Sequence, residues 1–127
     1  MISRETVLEI HNALIEQSGG SKGLRDEALL LSALARPFAT FDQQDLYPSA
    51  VEKAAAVLES VIINHPFIDG NKRIAYFLMR LILRQSDLDI SASENEKYDF
   101  TIAASKGEIR VDEITVWITE KLISAHQ

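Results

Sequence analysis

An all-α fold is what this sequence predicts, and three features predict it. Apolar residues recur at three- and four-residue spacing through most of the chain. Capping residues open these stretches, and glycine or proline closes them. One stretch, Asn71–Gln85, is apolar nearly all round, the mark of a central buried helix. A chain of 127 residues can bury a core of its own, so a single domain spanning 1–127 is expected, with about six helices packed around that central one. No internal repeat interrupts the pattern.

The first helix is predicted from Ser3 to Gln17. Ser3 is its N-cap, Glu5 lies in its first turn and Gly19-Gly20 stops it. Val7, Ile10, Leu14 and Ile15 form one face, with His11 beside them. Asp26 then caps a short helix carrying Leu29, Leu30, Ala33 and Leu34, which ends before Pro37. The segment Arg36–Leu46 lacks helical period and reads as a short hairpin or an irregular loop. Pro48 suits the first position of the third helix, whose face is Val51, Ala54, Ala55, Leu58, Val61 and Ile62. Asn64 and Pro66 end it, and Gly70 precedes the central helix. Ser93 and Glu96 have capping-box spacing for a fifth helix, which Gly107 closes. Asp112 is expected to cap a sixth bearing Ile114, Trp117, Ile118 and Leu122, and His126 to lie in a frayed tail.

Bulk properties narrow the function. Thirteen Lys and Arg against nineteen Asp and Glu give a formal charge of −6, which argues against general nucleic-acid binding. The absence of cysteine removes disulfides and thiolate metal sites. Charges and apolar residues mix from the first residues, unlike a signal peptide, and no apolar run reaches membrane-span length. A cytoplasmic protein is expected.

Against this background the run His65-Pro66-Phe67-Ile68-Asp69-Gly70-Asn71-Lys72-Arg73 stands out. Lys72 and Arg73 sit in the first turn of a helix, where unpaired N–H groups already carry positive charge. Each cation there costs about 0.3–1 kcal/mol if nothing offsets it. A bound anion is the simplest compensation, since helix N-termini bind phosphates readily. His65 and Asp69 are four apart, but Pro66 and Gly70 make a continuous metal-binding helix a poor reading. A helix–loop–helix elbow fits better. Phe67 plugs the core, Gly70 lets a ligand approach the backbone, and the N–H groups of Gly70, Asn71 and Lys72 form a nest. Asp69 is a hard oxygen donor suited to Mg²⁺ beside phosphates. Lys72 and Arg73 suit phosphate charge, and His65 is the natural general base near neutral pH. Singly, each has a plain structural reading: a turn aspartate, a solvated cationic face, a hydrogen-bonded histidine such as His11. Together they form the constellation of a catalytic site.

The same nine residues resemble the signature of the Fic/Doc family: His, any residue or Pro, Phe, any residue, Asp or Glu, Gly or Ala, Asn, Gly or Lys, Arg. The likeness extends to Gly19-Gly20…Gly23-Leu24-Arg25-Asp26, to Ser32-Ala33-Leu34-Ala35-Arg36-Pro37 and to Ser105-Lys106-Gly107-Glu108-Ile109, which look like the small Doc branch. The resemblance implies an all-α fold and transfer of a phosphate-containing group from a nucleotide to a protein hydroxyl. Ordinary members transfer AMP and have glycine where Lys72 stands and a second arginine where Tyr76 stands. Lysine at that place is a trait of Doc toxins, kinases that transfer the ATP γ-phosphate to elongation factor Tu, stop translation and are neutralised by an antitoxin. Gly70 follows the general family pattern rather than the alanine of the best-known Doc motif.

Carried over by position, the resemblance makes His65 the base on the target hydroxyl and Asp69 the Mg²⁺ ligand, with Gly70, Asn71, Lys72 and Arg73 holding phosphates. His65, Asp69, Lys72 and Arg73 are the expected catalytic set, ATP and Mg²⁺ the expected cofactors. Arg36–Leu46 falls where the family has its target-docking flap. The family's inhibitory Ser/Thr-x-x-x-Glu-Gly/Asn motif is missing: Glu94-Asn95 is the nearest fit, and Ile90 precedes that Glu by four. Restraint by a separate antitoxin is therefore expected, through a helical tail in an apolar groove beside the elbow. The groove is expected to be bordered by the first helix and the Arg36–Leu46 segment. An AMP transferase and a silent phosphate- or protein-binding module are the alternatives.

Overall fold

The computed structural model describes residues 1–126, which form six helices and two small antiparallel strand pairs. Helix α1 (Arg4–Ser18) is capped by the Ser3 hydroxyl, and α2 (Glu27–Ala35) by the Asp26 carboxylate. A 3₁₀ turn, Arg36–Phe38, leads into strands β1 (Thr40–Phe41) and β2 (Gln44–Asp45). Asp42 and Gln43 both have positive φ, as a two-residue turn matched to strand twist requires. Of the two readings of Arg36–Leu46, hairpin or irregular loop, the hairpin is the one present.

Helices α3 (Ala50–Asn64) and α4 (Asn71–Arg84) form a central pair. Every residue from Ala54 to Ile62 of α3 is buried, and the run Ala54-Ala55-Ala56 has no bulk to hold neighbours off. Helix α3 also touches α2, α5 (Glu94–Ser105) and α6 (Val111–Lys121), so it shares the centre with α4. The α4 face of Ile74, Ala75, Leu78, Met79, Ile82 and Leu83 is buried, while Phe77 is 41% exposed.

Some expectations need correcting. Pro48 lies before α3, because Ser49 is the N-cap and forms a capping box with Glu52. A capping hydroxyl satisfies an orphan N–H, which a proline at the first position only avoids needing. Helix α6 starts one residue before Asp112: Arg110 is its cap residue, and Asp112 sits in its first turn. His126 does not end a frayed tail. Strand β4 (Leu122–Ser124) pairs with β3 (Leu88–Ile90), and His126 Nε2 lies 2.9 Å from Asp87 Oδ1. The β3–β4 pair draws the last described residues onto the end of α4. Among the described residues no helix is long and apolar enough to cross a membrane.

Candidate functional site

The elbow between α3 and α4 is built from three segments far apart in sequence. His65 terminates α3 in the left-handed region, at φ 51° and ψ 60°. A non-glycine residue there stores about 1–3 kcal/mol unless its surroundings hold it. Arg25 does so. Its Nε donates to His65 O and its Nη2 to Asn64 O, each at 2.6 Å. The guanidinium thereby satisfies the last carbonyls of α3 and offsets the negative end of its dipole. The Arg25 and Asp26 amides both donate to Pro66 O, and Ile68 N donates to Gly23 O. The loop after α1 is stitched along the whole motif. Arg25 stands in the stretch that resembles the Doc branch, but its spacing gives no role to its side chain.

Phe67 is 1% exposed and stacks on the His11 ring, 3.8 Å between centroids. His11 is itself buried, and its Nε2–H donates to Asp69 O at 2.7 Å. It supports the elbow from beneath. Asn71 folds back the same way. Its Oδ1 accepts from Phe67 N and its Nδ2 donates to Phe67 O, both at 3.0 Å. Both ends of the amide side chain are therefore engaged within the loop, so the side chain expected to hold phosphate serves the Phe67 backbone instead.

Asp69 Oδ1 accepts from Gly70 N at 2.8 Å and Oδ2 from Ser21 N at 3.1 Å. These two backbone hydrogen bonds, Ser21's first, hold the carboxyl below its usual range, and Arg73 adds to the effect. These contacts favour the anionic form. Among the described residues no three His, Asp or Glu side chains cluster as a metal cage. Asp69 alone fits a Mg²⁺ that takes its other ligands from phosphates and water.

Gly70 has φ 74°, and a Cβ there would lie 3.0 Å from Ile15 Cδ1. Gly20 has φ 121°, and its Cβ would lie 2.6 Å from Asp69 Oδ2. Both glycines are favoured by backbone angle, and at Gly20 a Cβ would also displace the Asp69 carboxylate. Helix α4 has no side-chain cap and no acid in its first turn, so its first N–H groups have no side-chain acceptor there. The Gly70 N–H expected in the nest is already engaged by Asp69 Oδ1. Arg73 Nη1 donates to Gly19 O at 2.9 Å and to Ser18 Oγ, joining the end of α1 to the start of α4. Lys72 is exposed and its ammonium pairs with nothing among the described residues. The His65 imidazole is likewise exposed and without a hydrogen bond. The elbow therefore brings together an unengaged imidazole, an anionic carboxylate, an uncapped helix start and an unpaired, exposed cation.

The hollow adjoining the elbow is polar, lined by Arg36, Glu59, Ser60, Ile63, Asn64 and Arg110. An apolar hollow lies at the start of the first helix, among Met1, Ile2, Leu31 and Leu34. It contains no residue of the elbow. This hollow is therefore not the groove expected beside the elbow. Arg36, which opens the hairpin segment, brings a cation rather than an apolar wall to the elbow side.

The sequence pattern of the Fic/DOC family matches residues 1–83. Over 74 residues the chain is 42% identical to "Toxin Doc" of Mycolicibacterium smegmatis, a match covering 58% of this chain and 57% of that protein. The chain thus spans little more than half the length of that relative. Over 113 residues it is 30% identical to "Protein kinase doc" of Escherichia phage P1, covering 89% of this chain and 88% of the relative. With the family pattern on 83 of 127 residues and a relative aligned along nearly the whole chain, this protein belongs to the Fic/Doc family.

Proposed function

We propose that this protein is a Doc-type toxin that phosphorylates a hydroxyl of a protein target from ATP, with an elongation factor Tu-like translation factor as that target. The observation that carries this reading is Lys72, an unpaired cation on the first turn of uncapped α4, beside an unengaged His65. It joins the lysine trait of the Doc branch to the relative named as a protein kinase. When bound, ATP supplies the phosphoryl group and Mg²⁺ screens its oxygens. Asp69 would hold the metal. The α4 N–H groups, Lys72 and Arg73 then oppose the charge that spreads over the transferring oxygens. His65 takes the proton of the acceptor hydroxyl as that oxygen bonds to the γ-phosphorus and ADP departs. Proton, phosphoryl group and leaving group are all accounted for.

Intact-mass spectrometry of the target after incubation with ATP and Mg²⁺ tests the reading. A gain of about 80 Da marks phosphoryl transfer and is expected. A gain of about 329 Da would mean AMP transfer, and no gain would leave a binding module. Control by an antitoxin belongs to the same reading, because the chain carries no inhibitory motif of its own. The apolar hollow at Met1, Ile2, Leu31 and Leu34 is where a helical tail would find apolar contact.

A further inference from the structure

The hollow beside the elbow has a volume of about 290 Å³ and holds more positive charge than its own structure uses. Its floor is the last two turns of α3, through Glu59, Ser60, Ile63 and Asn64, and the next residue is His65. Glu59 is 5% exposed. Burial pushes its carboxyl up, but hydrogen bonds from Arg36 and Arg110 outweigh this and hold it below the usual range.

Arg36 is the structural partner. Its Nη1 lies 2.9 Å from Glu59 Oε1 and donates to Ser60 Oγ at 2.9 Å, while its Nε donates to Tyr47 Oη at 3.0 Å. Arg110 is different. Its Nε donates to Glu59 Oε2 at 3.1 Å, and its two terminal nitrogens make no hydrogen bond among the described residues. Its side chain is 63% exposed. The Glu113 carboxylate nearby is turned to the Arg110 backbone N–H at 3.0 Å. Two guanidiniums against one buried carboxylate leave one surplus positive charge in a chain of net charge −6. A buried carboxylate needs one good cationic partner, and Arg36 already serves. The second arginine presents an open planar fork, the geometry that binds carboxylates and phosphates bidentately.

We propose that this cleft is an oxyanion subsite that seats an acidic side chain of the protein whose hydroxyl is presented to His65. The inference rests on the kinase reading for the identity of that protein, but not for the binding itself. The cleft shares no residue with the α4 nest and lies between the hairpin segment and α6, so a target could occupy it while phosphates occupy the nest. Target choice would then depend on acidic residues near the acceptor hydroxyl.

The test uses the intact protein and the side-chain Nε–Hε resonances of its arginines, at fixed ionic strength. Glutarate stands in for an acidic side chain, and ADP is titrated separately. Glutarate is expected to move the Arg110 and Arg36 resonances. Arg110→Ala should weaken that titration at least about tenfold, and Arg110→Lys, which keeps charge but loses the fork, should weaken it less. Arg110 is at the rim, so both variants should fold. In transfer assays, serine peptides with Asp beside the acceptor should show lower KM than their Asn counterparts, and Arg110→Ala should erase that difference while leaving kcat unchanged. Unmoved Arg36 and Arg110 resonances with glutarate would overturn the proposal. So would competition between ADP and glutarate there, which would make the cleft part of the nucleotide site. Glutarate binding at Arg110 with no phosphoryl transfer to any peptide would support the subsite and count against the kinase reading.

Discussion

Replacing Asn71 by alanine separates a structural clasp from a phosphate ligand. Asn71 is 8% exposed, and its amide closes both polar groups of the Phe67 backbone at 3.0 Å. Alanine leaves the Phe67 N–H and C=O without partners in a site too tight for easy hydration. Each unsatisfied buried group costs about 1–3 kcal/mol, so the loss of both should be about 2–6 kcal/mol. That is a large part of the roughly 5–15 kcal/mol stability of a domain this size. Urea unfolding should show a lower midpoint with unchanged slope, and the Phe67 amide should exchange faster with solvent. Asn71→Asp keeps the acceptor for Phe67 N but sets an anion against Phe67 O, so it should fare little better. The reasoning is refuted if Asn71→Ala stays within about 0.5 kcal/mol of the parent while nucleotide affinity collapses. That result would mean the side chain serves the ligand and not the loop.

Other perturbations read other parts of the molecule. His65→Ala should lower the transfer rate about 10²–10⁴-fold without loss of stability, since the ring is exposed and unbonded; activity near that of the parent would remove His65 as the base. Lys72→Gly should abolish phosphoryl transfer in a radiolabelled-ATP assay, and unchanged transfer would mean the kinase reading rests on the wrong residue. Asp89 is held at about 2, first by its hydrogen bond from Arg80, against a usual value near 3.8. Its folded pKa is depressed, so its contribution is complete above about pH 4 and is lost as pH falls towards 2. With Arg80 and Arg84 half exposed, about 1–2 kcal/mol is expected, and Asp89→Asn should flatten the acid limb of the stability curve between those pH values.

Most of the fold is local chemistry and could be read from the sequence. Ser3, Asp26 and the Ser93/Glu96 box cap the helices they were expected to cap. Asp42 and Gln43 gave no strong turn signal, yet the short hairpin forms, because both adopt positive φ. The β3–β4 pair was invisible, since three-residue strands such as Leu88–Ile90 carry too little alternation to register. Within the elbow, the motif residues and their company were legible from type and spacing. What escaped notice was the second layer. Arg25 beneath His65, and Arg110 against Glu59, act across 40 and 51 residues, and neither lies in a periodic pattern. Asn71 was visible as a motif residue, but not the direction of its side chain.

The stitching of the elbow also sets when it comes into being. His11 reaches Asp69 across 58 residues, Arg73 reaches Gly19 across 54, and Ser21 reaches Asp69 across 48. Closing such separations costs chain entropy that a helix or a hairpin never meets. Helices α3 and α4 are neighbours joined by six residues and can pair early. Docking of α1 and its following loop onto the elbow is expected at a later stage. A chain with its central pair formed is therefore helical and half-assembled, yet lacks the support under Asp69 and the brace on Arg73. Pulse-labelled hydrogen exchange during refolding should find the Ser21 amide protected after those of α3 and α4, and simultaneous protection would exclude that order. The capacity for chemistry would then be among the last properties this chain acquires as it folds.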